Sequence, residues 1–251
     1  MSYQELCETF HKDGFVIVPN FLPPDEFADL NDNLDRYIRE IVPTLSDADA
    51  FYQVSGRVET LKQLQHMGSF DSFFADYIEH PRWLSCAEAL LGERAYAKEP
   101  EWFNKPPASA HATPPHQDNY YFCLLPPNVL TMWLALDRVD EENGCLRYVR
   151  GSHHLGLRPH GKTSVVGFSQ GITDYGPDDE DKEVVIRLNP GDLVCHHGEL
   201  IHRAEANSSA SRTRRAFAMV FQGESCQRDE EAYQAYLQAA RQQQVAAGLK
   251  L

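Results

Sequence analysis

From about residue 95 to about 225 the chain is written in short apolar runs separated by Pro, Gly, Asn and Asp, and this texture limits the possible folds more than any other feature. The runs 120–125, 129–136, 145–149, 184–188, 193–196 and 215–221 read as strands. Asn143-Gly144 lies between two of them and is a strong hairpin-turn signal. Strands this short and this regularly punctuated pack as a sandwich or close into a barrel. The flanks are different. Residues 15–18 form a short strand signal, followed by a helix over 23–41 with Leu30, Leu34, Tyr37 and Ile41 on one face. A second helical stretch covers 70–91, where Pro81 either interrupts it or starts a new helix and Gly92 stops it. The Gln-, Ala- and Glu-rich tail reads as a surface helix over 229–247. No linker separates these parts. The expectation is one mostly β domain over 1–251: a helical part to about 94, a barrel or jelly-roll core over 95–225, and a closing helix.

Charge narrows the partners. The formal net charge is −14, a surface that repels phosphate backbones and anionic lipid, so neither nucleic acid nor membrane is expected as a partner. No run of about 18 apolar residues offers a membrane-spanning helix, and the first fourteen residues are too polar for a secretory signal. Six cysteines, none in a Cys-x-x-Cys pair, read as reduced structural thiols of a cytoplasmic protein.

The chemistry concentrates in two segments. In Pro114-Pro115-His116-Gln117-Asp118, an extended backbone would point residues i and i+2 to one side, so that His116 and Asp118 reach the same cation. In the segment 191–202, a further histidine, His202, follows another apolar run. Two imidazoles and a carboxylate on one face of a metal leave three positions open, which suits non-haem Fe(II). Eleven histidines leave rivals, among them His111, His153, His154, His160, His196 and His197, with Glu199 a rival carboxylate. One of His196 and His197 is expected to hydrogen-bond inside the barrel without touching metal. Arg214 and Arg215 lead the last strand, and a buried arginine at a strand start can clamp a carboxylate with paired hydrogen bonds. Parity puts Arg214 with Ala216, Ala218 and Val220, and Arg215 with Phe217, Met219 and Phe221. The smaller set suits a crowded barrel interior, so Arg214 is expected to point inward.

These residues, in this order, resemble the phytanoyl-CoA dioxygenase family. The likeness runs from Asp13-Gly14-Phe15 through Phe103-Asn104-Lys105-Pro106-Pro107, His116-Gln117-Asp118, Asn143-Gly144 and Gly151-Ser152-His153 to Gly191-Asp192, His202 and Arg214-Arg215-Ala216. It implies a double-stranded β-helix (jelly roll), Fe(II) held by His116, Asp118 and His202, and 2-oxoglutarate and O2 as co-substrates. It further implies that Arg214 binds the far carboxylate of 2-oxoglutarate and that Trp133, Gln117 and Lys62 line its site. One departure is that Arg203-Ala204 follows His202, with no hydroxyl where relatives often carry a serine; another is a segment before Arg214 one residue longer than expected.

The implied reaction hydroxylates a small molecule and releases succinate and CO2. Trp102, Tyr120 and Tyr121 are candidates for the substrate pocket because they lie close to the metal motif in the sequence. Two other readings stay open: the same iron site with a different oxidative outcome such as desaturation or epimerisation, and a barrel that binds metal or ligand without catalysis. Asp118 argues against halogenation, which needs the carboxylate position for halide.

Overall fold

The structure is a computed structural model that describes residues 3–46, 48–54, 57–109, 111–163 and 170–246. Its first third is α1 (Tyr3–Asp13), β1 (Phe15–Val18), α2 (Pro24–Glu40), β2 (Ala50–Tyr52), β3 (Leu61–Leu64), α3 (Met67–Phe70), α4 (Ser72–Tyr77) and α5 (Pro81–Leu91). Strands then dominate. They are β4 (Ala95–Ala97), β5 (Glu101–Lys105) and β6 (Thr113–His116), the one-turn helix α6 (Asn119–Phe122), then β7 (Leu124–Leu125), β8 (Val129–Ala135), β9 (Leu146–Val149), β10 (His160–Lys162) and β11 (Gln170–Ile172). After α7 (Pro177–Glu180) come β12 (Glu183–Val185), β13 (Leu193–His197), β14 (His202–Ala204), β15 (Arg214–Gly223), β16 (Gln227–Arg228) and α8 (Glu230–Ala246).

Two antiparallel sheets carry the fold. The larger has the order β1-β13-β8-β15-β5-β3-β2, with β4 also on β15; the smaller has the order β12-β9-β14-β6. Apart from β2 and β3, neighbours in each sheet are far apart in sequence, as in a jelly roll, so most strands are placed by their partners and not by their turns. Side chains alternate accordingly. On the outer face of the large sheet, Leu64, Trp102, Leu134, Phe217, Met219 and Phe221 join one core with the helices. Phe217 meets Trp83, Tyr77 and Phe74 at ring-centroid distances of 5.7, 5.1 and 6.1 Å. On the inner face, Phe15, Trp133, Ala135, Val194, Ala216 and Ala218 form a second core with Leu146, Tyr148 and Ala204 of the small sheet. The inner core is built from smaller residues, and that is what leaves room for a cavity between the sheets.

Several sequence expectations change. The stretch 70–91 is two helices, α4 and α5, following the end of α3 at Phe70: Asp71 is extended and caps α4 through Phe73 N at 3.1 Å, and Pro81 opens α5. Gly92, at φ +73°, ends α5. Residues 120–125 are not a strand, because α6 occupies Asn119–Phe122 and only Leu124–Leu125 is extended. The Tyr120-Tyr121-Phe122 run imitates a buried strand in composition, but here it forms a helical turn. Asn143-Gly144 does not close a hairpin between its flanking strands, since β8 and β9 belong to different sheets. It makes the crossing between them. Gly144 sits at φ +78°, and a Cβ there would lie 2.6 Å from Glu205 O. The Asn143 amide donates to Arg138 O and Thr213 O at 2.7 and 3.0 Å. The N-terminal segment, read only as polar, is the amphipathic α1, with Leu6 and Phe10 buried. No helix among the described residues is long and apolar enough to cross a membrane, and all six cysteines are free.

Candidate metal centre

His116 ends β6 and His202 begins β14, and the two are register partners across that antiparallel ladder. Their ring centroids are 4.1 Å apart. Each Nδ1 is hydrogen-bonded to the carbonyl two residues back: His116 to Pro114 O at 2.8 Å, His202 to Leu200 O at 2.9 Å. A carbonyl can only accept, so Nδ1 carries the proton and the Nε2 lone pair is aimed away from it. Both Nε2 atoms point to Asp118 Oδ1, at 3.6 and 3.5 Å. The three ligand atoms lie within 4.8 Å of one another.

Asp118 gets there differently from the sequence expectation. The chain stops being extended after His116, and Asp118 is in the right-handed helical region at φ −60°, ψ −37°, as the N-cap of α6. The turn, not strand parity, returns its carboxylate to His116. Its second oxygen, Oδ2, accepts from Thr131 Oγ1 at 2.6 Å and faces His196 Nε2 at 3.1 Å. His196 Nδ1 meets Tyr148 OH at 2.9 Å. Since a carboxylate only accepts, His196 donates from Nε2 and accepts the Tyr148 hydroxyl hydrogen bond at Nδ1. His196 is thus the strand histidine that supports the site from inside the barrel.

Electrostatics match metal binding. Burial pushes both His116 and His202 below the usual histidine value, which keeps them neutral. Burial alone would raise Asp118, but His202 and His196 outweigh it and hold the carboxyl far below its ordinary range. Neutral imidazoles and an ionised carboxylate are the forms that bind a cation. Two nitrogens and one oxygen, gathered on one side with a cavity on the other, fit a divalent iron that keeps open positions.

The second half of the site is cationic. Arg214 is 6% exposed, whereas the Arg215 side chain is 33% exposed and forks onto Asp137 at 2.8 Å. Arg214 faces the inner core: its guanidinium lies 5.3 Å from the Trp133 ring centroid, and one terminal nitrogen donates to Gly144 O at 3.2 Å. Its Nε is buried with no hydrogen-bond partner among the described residues. Lys105 is its cross-strand neighbour. Burial, aided by the charges of Arg214 and Lys62, pushes the Lys105 ammonium down to about 6. Lys105 donates to the Ala204 and Glu205 carbonyls. Half-buried Lys62 is itself pushed down by burial. Crowded cations with an orphan guanidinium nitrogen are stabilised by an incoming anion, and a dicarboxylate such as 2-oxoglutarate fits that requirement.

The remaining candidates divide. A cavity of about 210 Å³ opens from His116 and Asp118 and is lined by Gln63, Glu101, Phe103, Tyr121, Thr131 and Tyr236, among others. Tyr121 is in this wall, its OH donating to Gln170 O at 2.6 Å. Tyr120 stacks on His160 at 4.0 Å and lines a neighbouring groove instead. Trp102 points away from the cavity into the core under the helices, because its parity on β5 is opposite to that of Glu101 and Phe103. Gln117 also departs from expectation. Its amide donates to Gly156 O and Glu199 O at 2.9 and 2.7 Å and accepts from Arg158 N at 2.8 Å. Both amide hydrogens are therefore spent on loops. Glu199 lends its carbonyl to Gln117 and is not one of the three clustered ligands. Sequence reading assigned no role to Thr131, seen only as sharing the parity of Trp133, or to Lys105, seen only within the family motif, and Tyr148 and Glu101 went unnoticed. Their one signal was parity with Trp133, Phe103, Leu146 and Phe103 respectively. Tyr236 shows that α8 is more than a surface helix, since it reaches the cavity wall.

Known proteins resemble this chain in sequence and in fold. The model of the phytanoyl-CoA dioxygenase (PhyH) family matches residues 10–216. Peroxisomal phytanoyl-CoA dioxygenase of Rattus norvegicus is 28% identical over 214 residues, which is 79% of this chain and 62% of the rat protein, so the chain spans less than two thirds of that relative. Among solved structures, EvdO2 of Micromonospora carbonacea var. aurantiaca in complex with 2-oxoglutarate superposes with a TM-score of 0.69 at 26% identity, covering 89% of this chain and 91% of EvdO2. The epimerase SnoN, in complex with Fe3+, α-ketoglutarate and nogalamycin RO, gives a TM-score of 0.71 at 24% identity, covering 89% and 84%.

Proposed function

The chain belongs to the phytanoyl-CoA dioxygenase family of non-haem iron, 2-oxoglutarate-dependent oxygenases, and on that premise we propose that it hydroxylates a small molecule with release of succinate and CO2. One observation carries the reading: the Nε2 atoms of His116 and His202 converge on Asp118 Oδ1 at the border of a cavity, and Arg214 is buried separately between the sheets beside Trp133. When bound, Fe(II) with 2-oxoglutarate and O2 supplies the oxidising power to replace a substrate C–H by C–OH. The protein does the rest. His116, Asp118 and His202 hold the metal, and Thr131 and His196 fix the second Asp118 oxygen so that the first stays aimed. Arg214 clamps the distal carboxylate of 2-oxoglutarate, with Trp133 as its wall, Lys62 adding positive field and Lys105 taking up a proton as the anion enters. Phe103 and Tyr121 exclude water around the reacting carbon. All of this lies in one domain spanning the chain, and the free thiols suit a cytoplasmic setting.

The test is oxygen-dependent succinate release from 2-oxoglutarate by protein loaded anaerobically with Fe(II). Stoichiometric iron with no succinate, in the presence or absence of candidate metabolites, would overturn the enzyme reading in favour of a binding protein. A second reading keeps the site and changes the outcome to desaturation or epimerisation. SnoN, an epimerase on the same fold, supports keeping it. Mass analysis of the product separates an added oxygen atom from none.

A further inference from the structure

Glu101 is the one carboxylate on the inner face of β5, and it borders the cavity beside Asp118. Gln63, from the adjacent strand, donates to its Oε2 at 2.9 Å, and Gln65 also hydrogen-bonds to it. Two such bonds occupy about half of the roughly four lone-pair positions of a carboxylate and fix its orientation. Among the described residues Glu101 makes no ion pair, although buried carboxylates are normally paired with a cation. Burial, and then the charge of Asp118, push its carboxyl above the usual value. The nearest cation among the described residues is Lys98, whose ammonium lies 4.0 Å over the outer side of the Phe122 ring and feels the charge of Glu101 without forming an ion pair with it. Phe103, Tyr121, Phe122 and Tyr236 present rings, Glu99 adds a second carboxylate near the mouth, and no lysine or arginine lines the cavity. The cationic groups of the site, Arg214 and Lys105, lie with Trp133 and Gly144, none of which lines this cavity. The two ends of the active site thus have opposite polarity.

We propose that Glu101 is a specificity-determining residue that binds a protonated amine on the primary substrate, with the aromatic wall holding the carbon skeleton beside the metal ligands. This rests on the functional reading above and names the substrate class for it. A carboxylate facing a cavity walled by rings favours an ammonium twice, by ion pairing and by attraction to the ring faces. The cavity, about 210 Å³, suits a compact amine and not a large anionic one. An acyl-CoA thioester would bring several phosphate charges toward Glu99 and Glu101.

The test uses three matched probes on the full-length protein at pH 7: benzylamine, benzyl alcohol and benzoate. Their dissociation constants are measured by ligand-observed NMR on wild type and on Glu101→Gln. Wild type should bind benzylamine at least tenfold more tightly than benzyl alcohol and should bind benzoate least. Glu101→Gln, checked for folding by its melting curve, should reduce the amine preference to less than threefold. Equal binding of amine and alcohol by wild type, tighter binding of benzoate, no detectable binding of benzylamine, or an amine preference unaltered in a folded Glu101→Gln protein would each overturn the proposal. Succinate release by the iron-loaded wild type contains no probe, so the reaction class and the substrate class fail separately.

Discussion

Asp118 gives one oxygen to the metal face and the other to His196, whose Nε2 lies 3.1 Å from Oδ2. The division explains why a ligand that stands in a helical turn, and not in a strand, is still held firmly: Thr131, on the same β8 face as Trp133, takes the same oxygen at 2.6 Å.

Removing that support should loosen the metal without removing a ligand. Thr131→Val keeps the shape and deletes the hydroxyl. Loss of an outer partner of this kind typically costs 10–100-fold in metal affinity or activity, so Fe(II) affinity should fall by about that factor. A competitive chelator titration reads it. An unchanged affinity would mean that His196 alone suffices to hold Asp118.

Arg214 and Arg215 should separate cleanly. Arg214→Ala should weaken 2-oxoglutarate binding by about 2–5 kcal/mol, because a buried charge-assisted pair is lost. Arg215→Ala should leave that binding within roughly threefold and lower stability by up to about 1 kcal/mol through its half-exposed pair with Asp137. Equilibrium titration with 2-oxoglutarate on both variants decides; a larger effect at Arg215 would reverse the assignment.

Asp118→Gly should retain part of the iron through the two histidines and lose most succinate release. Replacing His202 by Ala should remove most iron as well. The two are compared by metal analysis and by oxygen-dependent succinate formation. If Asp118→Gly turned over 2-oxoglutarate at the wild-type rate, Asp118 would not be a ligand. A halide site opened this way is not expected to redirect the reaction, since substrate position also governs the outcome.

Acid should destabilise the metal-free protein before its exposed carboxylates titrate. Burial pushes His160 and His197 down to about 4 from an ordinary 6.5. The unfolded chain therefore takes up these protons first. Their contribution to stability is complete above about pH 6.5 and is lost as pH falls toward 4. The melting temperature should drop by several degrees between pH 7 and pH 5, at the usual 2–4 °C per kcal/mol for a chain of roughly this size. His197→Phe should flatten that slope. Calorimetry at half-unit pH steps measures it, and a melting temperature constant over the range would contradict it.

The cluster of His116, Asp118 and His202 was legible in the sequence because each is chemically distinctive and sits at the border of an apolar run. Arg214 was legible because β15 alternates small and large residues so strictly that parity alone selects the inward arginine. The rest depended on pairings between distant segments. Trp102 is close to the motif in sequence but lies on the outer face of β5, and nothing local distinguishes the two faces there. Gln117 is flanked by two ligands, yet its amide is claimed by loops some 40 and 80 residues away. The 120–125 run has the composition of a strand, and only the turn at Asp118 makes it a helix. Glu101 and Lys105 become conspicuous when β5 is seen against β3 and β15, a neighbourhood no window of sequence contains.

The direct pairing of His116 with His202 across β6 and β14 has a consequence for how this protein should be handled. A slip of one residue in that ladder would turn one imidazole to the opposite face while leaving both sheets and the helical layer nearly intact. Such a molecule would have ordinary secondary structure and an ordinary hydrodynamic size, and no metal. Iron uptake at saturating Fe(II) is thus a count of correctly registered chains, a sharper criterion of native assembly than any spectrum of the backbone.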